Sequence, residues 1–352
     1  MGGVAEAGRG MAADIAEQPD VYARMLANLE PIQAVARRVA EHKPRQVVLT
    51  ARGTSDHAAL YGAYLAEIRL GIPAGLASPS AITLYGARPD LRDCLVIAVS
   101  QSGESPDLRE VIRVAGEQGA LTLAVTNAPE SPLAAAAQLQ IDIGAGKERA
   151  VAATKTYTAE LLALLLLTEA VRAGGDLPES ERTALQELPE LAARALADPA
   201  AVETAQRYRF ANQLVTTGRG YAYPTAREAA LKLMETSYLP ALAFSGADLL
   251  HGPLALADPE VPVIAVVGAG PGGESMHQVV AELALRRADL VVVGAGAEST
   301  RAHLRIVTPA VTERYAPLLD ILPLQRLALA LAVARGENPD APRGLSKVTA
   351  TL

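Results

Sequence analysis

The side chains best suited to chemistry in the second half of the chain lie close together in the sequence. Glu228, Lys232 and Glu235 are spaced four and three residues apart, so they share one face of a predicted helix. A carboxylate beside an ammonium group is suited to proton transfer, and His251, which precedes a Gly-Pro turn, can present an imidazole. The alternatives are a solvated stripe of salt bridges and a structural histidine.

A second candidate site is the polar stretch Ser100 to Ser105, which follows an apolar run and precedes Pro106 and a helical pattern. The first N–H groups of a helix are unpaired and carry the positive end of its dipole, so this strand-to-helix turn is suited to a phosphate. The alternative is that Ser105 only caps the helix, which leaves the other polar side chains unexplained. Gly53-Thr54-Ser55 presents further hydroxyls at a neighbouring strand end.

Composition limits the class of protein. A net charge of −7 and the absence of long Lys/Arg runs argue against a nucleic-acid partner. The single Cys94 excludes an internal disulfide and a cysteine-rich zinc site, so a reducing cytoplasm is the predicted location. Residues 1–17 resemble a flexible tail rather than a signal peptide, and the translation start stays open between Met1 and Met11. The leucine run 161–167 is too short to span a membrane and is predicted to be a buried helix.

The two halves of the chain repeat one pattern. Thr50 to Gly53 matches Thr217 to Gly220, and Val96 to Val99 matches Val263 to Val266, both at an offset of 167 residues. Apolar strands alternate with helices across short turns, which predicts an α/β fold of two tandem doubly wound, flavodoxin-like parallel sheets. The predicted divisions are a tail and helix over 1–44, a first domain over 45–175, a helical linker over 176–211, a second domain over 212–336 and a C-terminal tail over 337–352.

Hydrophobic periodicity places the individual elements. One amphipathic helix is predicted over 20–41, ahead of the first sheet. The other predicted helices cover 58–68, a segment starting at 106, 154–171, several polar helices within 181–210, 226–238 and 318–334, and the predicted strands include 46–50, 95–99, 121–126, 139–143, 213–217 and 263–266.

Six stretches of the chain together resemble the double sugar-isomerase (SIS) domains of the glucosamine-6-phosphate synthase isomerase module. They are spread over nearly the whole sequence: Gly53-Thr54-Ser55, Ser100 to Ser105, Ala152 to Lys155, Ala230 to Glu235, His251 to Leu256 and Pro342 to Lys347. The resemblance implies a hexosamine phosphate or fructose 6-phosphate ligand, a homodimer with shared active sites, and no metal or organic cofactor.

The resemblance also implies a role for each matching residue. Glu235 is the expected base that moves a proton between C2 and C1, and Lys232 is expected to assist at the sugar hydroxyls. His251 is expected to open the pyranose ring, reaching in from the other subunit. Lys347 is expected to close over the open-chain sugar and can form an imine with the ketose, which suits a chain with only five lysines. The implied substrate-binding residues are Thr54, Ser55, Ser100, Gln101, Ser102 and Ser105 for the phosphate and the Val151 backbone for the sugar.

Two features favour the stand-alone deaminases of this family, which convert glucosamine 6-phosphate or a related amino-sugar phosphate to fructose 6-phosphate and ammonia. The printed sequence carries no glutamine-hydrolysing domain before the first copy, and Arg52 stands where the synthases have Cys. Ammonia-dependent or isomerase-only synthase activity stays open, as does a non-catalytic sugar-phosphate-binding regulator, although a regulator does not need the four implied catalytic residues. Ala153, Asp248 and Leu250 depart from the family pattern, so the epimer preference and the details of ring opening stay open.

Overall fold

Two parallel sheets organise the chain in a computed structural model, which describes residues 7–347. The first sheet contains β1 (Gln46–Thr50), β2 (Ala74–Leu76), β3 (Cys94–Ser100), β4 (Leu121–Thr126) and β5 (Leu139–Asp142). Its strands pair in parallel in the order β2-β1-β3-β4-β5, which is the flavodoxin-like order. Every residue of β3 and β4 is buried, as expected for central strands covered on both faces.

The second sheet repeats this topology. It contains β6 (Leu214–Gly218), β7 (Ala241–Ser245), β8 (Pro262–Val266), β9 (Asp289–Val293) and β10 (Leu304–Ile306). Its strands pair in parallel in the order β10-β9-β8-β6-β7. If β6 to β10 are renumbered 1 to 5, this order is 5-4-3-1-2, which is the order of the first sheet read from its other edge. The duplicated α/β fold predicted from the 167-residue offset is therefore confirmed.

Helices flank both sheets. In the first half of the chain they are α1 (Arg9–Ala16), α2 (Gln18–Ala27), α3 (Glu30–His42), α4 (Thr54–Leu65), α5 (Pro79–Thr83), α6 (Pro106–Glu117), α7 (Pro132–Ala136) and α8 (Lys155–Arg172), with a π-helical turn at Ala66–Leu70. In the second half they are α9 (Glu179–Gln186), α10 (Leu188–Ala197), α11 (Ala200–Tyr208), α12 (Ala222–Ser237), α13 (Gly246–Leu250), α14 (Pro271–Leu285) and α15 (Ala316–Ala334), with 3-10 turns at Pro253–Leu256 and Ala295–Glu298. The leucine run 161–167 lies within α8 and is buried, as predicted.

Contacts divide the chain into two units. One unit holds the first sheet, with residues 18–148 and 155–189 and, among the described tail residues, 346–347. The other holds the second sheet, with residues 190–345, helix α1 and the segment Arg149–Thr154. Helix α1 and this short segment are thus grouped with a sheet that lies far from them in the sequence.

The N-terminal region is helical where the sequence predicts a flexible tail, so that prediction is wrong for residues 9–16. Gly10 and Met11 donate their backbone N–H groups to the carboxylate of Asp340, at 2.9 and 2.8 Å. Met11 is completely buried. The prediction failed because the carboxylate that satisfies the start of α1 comes from the opposite end of the chain.

The single helix predicted over 20–41 is also wrong, because two helices occupy this region. Helix α2 ends at Ala27 and α3 begins at Glu30, with Pro31 in its first turn. Proline is favourable at the start of a helix but clashes with the preceding turn in a helix interior, so a new helix begins here. Each helix keeps its own buried residues on the predicted apolar stripe.

Helix α15 has a high mean hydropathy. It is the one helix within residues 7–347 that is long and apolar enough to cross a membrane by length and composition alone. The fold buries 72% of its apolar window, and it packs against α11 and α12. Burial of this extent is typical of a helix in a protein core.

Asp320, early in α15, is a buried acid that links stability to pH. It is 1% exposed, and its Oδ1 accepts a hydrogen bond from the Thr308 hydroxyl at 2.5 Å. Burial raises the pKa of Asp320 to about 7, against the lowering effect of the Thr308 hydrogen bond and with a further contribution from the charge of Glu313.

We predict that Asp320→Asn makes the free energy of unfolding less dependent on pH. Between about pH 4 and 7 the folded protein keeps a proton on Asp320 that the unfolded chain has released, so wild-type stability falls as pH rises through this window. The difference amounts to at most about 4 kcal/mol, and asparagine, which does not titrate, removes it. Urea denaturation at several pH values measures this, and equal pH slopes for the two proteins would contradict it.

Candidate functional site

The turn after β3 is held in shape by its own backbone and by Ser100. The Ser100 hydroxyl accepts the N–H of Gly103 at 3.1 Å, and the Gly103 carbonyl accepts the N–H of Leu133 at 3.1 Å. Gly103 has a φ of +65°, a conformation that side chains disfavour. The turn therefore presents a fixed backbone at the start of α6.

Ser105 occupies the N-cap position of α6 but makes no capping hydrogen bond with its side chain. The interpretation of its hydroxyl as a helix cap is therefore wrong. Ser102, by contrast, accepts the N–H of Glu104 at 3.3 Å. Because the Ser105 side chain does not cap the helix, the N-terminus of α6 keeps the character of an anion-binding position.

The turn after β1 lies at the same edge of the sheet, because β1 and β3 are parallel neighbours. Gly53, at a φ of +56°, leads into α4, and Thr54 is half-buried. Ser55 is buried, and its hydroxyl donates to Glu160 on α8 at 2.8 Å. The two predicted phosphate turns thus share an edge, but the Ser55 hydroxyl has a partner that the sequence did not indicate.

An ion pair joins these two turns. Arg52, in the turn after β1, contacts Oδ2 of Asp107 in the first turn of α6 through Nε at 2.8 Å and Nη2 at 2.7 Å. The Asp107 side chain is 1% exposed. Sequence reasoning singled out Arg52 only for its family resemblance and missed Asp107, whose spacing along the chain gives no signal of this contact.

The charged face of α12 is buried. The Lys232 ammonium lies 2.5 Å from Oε2 of Glu235 and 3.4 Å from Oε1 of Glu228. Lys232 and Glu228 are both 0% exposed in their side chains, whereas Glu235 is 22% exposed. The alternative of a solvated salt-bridge stripe is therefore wrong, and Glu235 is the one member of the group that solvent or a ligand can reach.

The charge state of Lys232 follows from this arrangement. Burial by itself lowers the pKa of the Lys232 ammonium, but the negative charges of Glu228 and Glu235 outweigh burial and raise the pKa above its ordinary value. Lys232 is therefore protonated at neutral pH and donates hydrogen bonds. A base in this group would therefore be a carboxylate.

Three further predicted site residues lie outside the two turns and the charged face of α12. His251 is exposed and follows directly after α13, as the predicted turn requires. Val151 is half-buried in the segment Arg149–Thr154, and Lys347 is half-buried near the end of the C-terminal tail. The roles implied for these residues stay predictions.

Asp14 on α1 is a residue that sequence reasoning missed. It is fully buried, and its Oδ2 accepts the N–H groups of Arg149 and Ala150 at 2.7 and 3.0 Å. Its Oδ1 accepts a further bond from the Arg149 guanidinium at 2.7 Å. Asp14 thus fixes the backbone that leads into Val151, a contact over 135 residues that no local pattern reveals.

The corresponding turn of the second copy has a different chemistry. The sequence favours a plain turn over a nucleotide loop for the glycine-rich stretch Gly268 to Gly273. The structure fills this turn with the side chain of Glu313, whose Oε1 accepts the N–H of Gly273 at 3.0 Å. A Cβ at Gly272 would lie 2.6 Å from the same carboxylate, so the glycines make room for it.

Metal ligands are not grouped in the part of the chain that the structure describes. Within residues 7–347, no three His, Cys, Asp or Glu side chains come together so that they could hold a metal ion.

The repeated 2-1-3-4-5 sheets, with polar turns at their strand ends, define a duplicated doubly wound α/β protein. The chain belongs to the SIS domain family, whose model matches residues 42–170 and 208–335. The family named from the sequence resemblance is therefore confirmed. The predicted limits of the linker and the tail stay predictions.

The chain is also similar to individual proteins and solved structures. The chain is 38% identical over 344 residues to the glutamine-fructose-6-phosphate aminotransferase (isomerizing) of Pyrobaculum aerophilum, an alignment that covers 96% of this chain and 56% of that protein. The chain thus spans about half the length of this curated relative. Among solved structures it is similar to a candidate phosphosugar isomerase from Silicibacter pomeroyi, with 34% identity, a TM-score of 0.84 and coverage of 94% of this chain and 99% of that one. It is also similar to the C-terminal domain of glucosamine-fructose-6-phosphate aminotransferase from Francisella tularensis, with 26% identity, a TM-score of 0.87 and coverage of 96% and 99%.

We predict that Gly103→Ala is more destabilising than Gly86→Ala. Both glycines have a φ of +65°, so each substitution carries the cost of about 1–2 kcal/mol for a left-handed alanine. Only at Gly103 would the new Cβ also meet Ser131, at 2.0 Å from its Oγ, whereas nothing lies within 4 Å at Gly86. Overpacking adds about 1–3 kcal/mol. Urea denaturation compares the variants, and equal losses would show that the Ser131 contact relaxes freely.

We predict that Lys232→Met destabilises the protein by about 3–5 kcal/mol, because it removes the ammonium that faces the buried Glu228 carboxylate. The double variant Lys232→Met/Glu228→Gln should recover part of this loss. Lys147→Met, the same change at an exposed lysine, is the control and should leave the free energy of unfolding nearly unchanged. Additive effects of the Lys232 and Glu228 changes would contradict the pairing.

Proposed function

We propose that the chain is an aldose–ketose isomerising deaminase that converts glucosamine 6-phosphate, or a closely related amino-sugar phosphate, and water to fructose 6-phosphate and ammonia. The observation that carries this proposal is the environment of the Glu235 carboxylate. Its carboxylate is accessible, and one of its oxygens is held by a buried, protonated lysine. A carboxylate held in this way is suited to general base catalysis at a bound sugar.

The phosphate is assigned to the two turns at the edge of the first sheet. Ser100 shapes one turn, and the Ser105 hydroxyl, which does not cap α6, can bind the phosphate directly. Because the Ser55 hydroxyl donates to Glu160, we assign Ser55 a contribution through its backbone N–H at the start of α4. The full proposed set is Thr54, Ser55, Ser100, Gln101, Ser102 and Ser105, with the Val151 backbone against the sugar.

The proposed reaction consists of ring opening, proton transfer between C2 and C1, imine exchange and hydrolysis. His251 moves the proton of the C1 hydroxyl to the ring oxygen, which opens the pyranose to the aldehyde. Glu235 then removes the C2 proton while O1 takes up a proton, giving an enolamine. Glu235 returns a proton to C1 while the amine nitrogen loses one, giving an imine at C2. Lys232 donates hydrogen bonds throughout, because its raised pKa keeps it charged. Lys347 displaces ammonia from C2 as its own imine, and water releases fructose 6-phosphate and the free lysine.

The main alternative is the same chemistry in the reverse direction. The relative from Pyrobaculum aerophilum is named an isomerizing aminotransferase, which favours synthesis of glucosamine 6-phosphate from fructose 6-phosphate and ammonia, or isomerisation alone. Both directions use the same residues by microscopic reversibility. A homodimer with His251 contributed across the interface, a cytoplasmic location and the absence of a cofactor are further parts of the proposal.

We predict that Glu235→Gln lowers turnover by about 10²–10⁴-fold while binding of the sugar phosphate is retained, because the amide keeps the shape of the side chain but cannot accept the C2 proton. A coupled ammonia-release assay over a panel of 2-amino-2-deoxyhexose 6-phosphates measures turnover, and calorimetry measures binding. Glu187→Gln, at an exposed glutamate, is the matched control and should keep wild-type activity. Retained turnover in Glu235→Gln would show that another group moves the proton, and a folded wild-type protein that releases no ammonia from any of these sugars would remove the deaminase assignment.

A further inference from the structure

The C-terminal tail is attached to the end of the helix that carries Glu235. The phenolic oxygen of Tyr238 accepts the backbone N–H of Arg343 at 2.6 Å. The Arg343 guanidinium also lies over the Tyr238 ring, 3.9 Å from its centroid. Tyr238 therefore contacts one tail residue through two different interactions, a hydrogen bond and a cation–π contact.

Tyr238 has a backbone conformation that its residue type does not favour. It forms the C-cap of α12 in the left-handed region, with a φ of +52°. Glycine and asparagine are the usual residues at such a position, and a bulky side chain there is an outlier that carries strain. A tyrosine at this cap is explained if its side chain has a task that glycine or asparagine cannot perform, and the contacts to Arg343 are such a task.

The tail is also anchored before Arg343. Three and five residues before Arg343, Asp340 and Asn338 accept backbone N–H groups at the start of α1. Beyond Arg343, Lys347 is only four residues away, which is at most about 14 Å of extended chain. Tyr238, which holds Arg343, is three residues along the chain from Glu235.

We propose that Tyr238 is a positioning residue for Lys347: by holding Arg343 it fixes the start of the segment that brings the lysine to the sugar. Restricting Lys347 to a short reach raises its effective concentration at the open-chain substrate. The role of Lys347 rests on the proposed function, whereas the attachment of Arg343 to α12 rests on the Tyr238 contacts.

The test uses Tyr238→Asn in the full chain, because asparagine suits the left-handed cap and removes both contacts to Arg343. The matched control is Lys43→Asn, the same change at the left-handed C-cap of α3, where φ is +50°. Both variants should keep or gain thermal stability. Tyr238→Phe keeps the ring and loses only the accepting oxygen, so it should give an intermediate result and provides a second folded variant.

Two measurements report on the tail: the rate at which trypsin cleaves it, and the trapping of sugar on Lys347 together with kcat. Native-state trypsin cleavage after Arg343 and Lys347, followed by mass spectrometry, should be roughly 5- to 50-fold faster in Tyr238→Asn than in the wild type, and unchanged in Lys43→Asn. Borohydride trapping of fructose 6-phosphate on Lys347 and kcat should fall by a similar factor, with KM unchanged. A cleavage rate in Tyr238→Asn equal to that of Lys43→Asn would overturn the proposal. Wild-type protein that traps no sugar would instead contradict the role of Lys347 and leave the cleavage result to decide the anchor.

Discussion

The buried ammonium of Lys232 is the interaction on which the candidate chemistry depends. A charged amine inside a protein is stable only when opposite charges face it, and Glu228 and Glu235 supply them at 3.4 and 2.5 Å. Because Glu228 is completely buried, only Glu235 combines a fixed position with access from outside. Helix α12 packs against α15 and the second sheet, and Glu235 is the carboxylate of this group that a ligand can reach.

Duplication of the fold has not produced two equal sites. Both sheets have the same strand order, and each has a turn leading into a helix after its third strand. In the first copy this turn carries hydroxyl groups, one of which shapes the loop, and Ser105 leaves the helix start uncapped by its side chain. In the second copy glycines admit the carboxylate of Glu313 to the same position. An anion that belongs to the protein itself thus stands where the first copy is suited to a phosphate, which illustrates that function resides in sites rather than in folds.

The sequence predicted central strands and also β5 at one sheet edge, but it missed the edge strands β2, β7 and β10, for a physical reason. Strands such as β3 and β8 are buried on both faces and appear as continuous apolar runs, whereas β2 is three residues long and only half-buried. The candidate site was predictable in its residue types but not in its environment. The spacing of Glu228, Lys232 and Glu235 is the same in a solvated stripe as in a buried cluster, and only tertiary packing distinguishes the two. Carboxylates that act over long sequence distances were beyond prediction, namely Asp340 at the start of α1, Asp14 at Arg149 and Glu313 at Gly273.

The central claim is that this chain moves a proton between C1 and C2 of a hexose 6-phosphate. Proton NMR of fructose 6-phosphate incubated with the protein in deuterium oxide tests this claim without reference to the direction of ammonia transfer. The account predicts that one of the C1 protons of fructose 6-phosphate is replaced by deuterium, since a carboxylate base exchanges its proton with the solvent between turnovers. Protein that binds fructose 6-phosphate but leaves both C1 protons unexchanged would contradict the account.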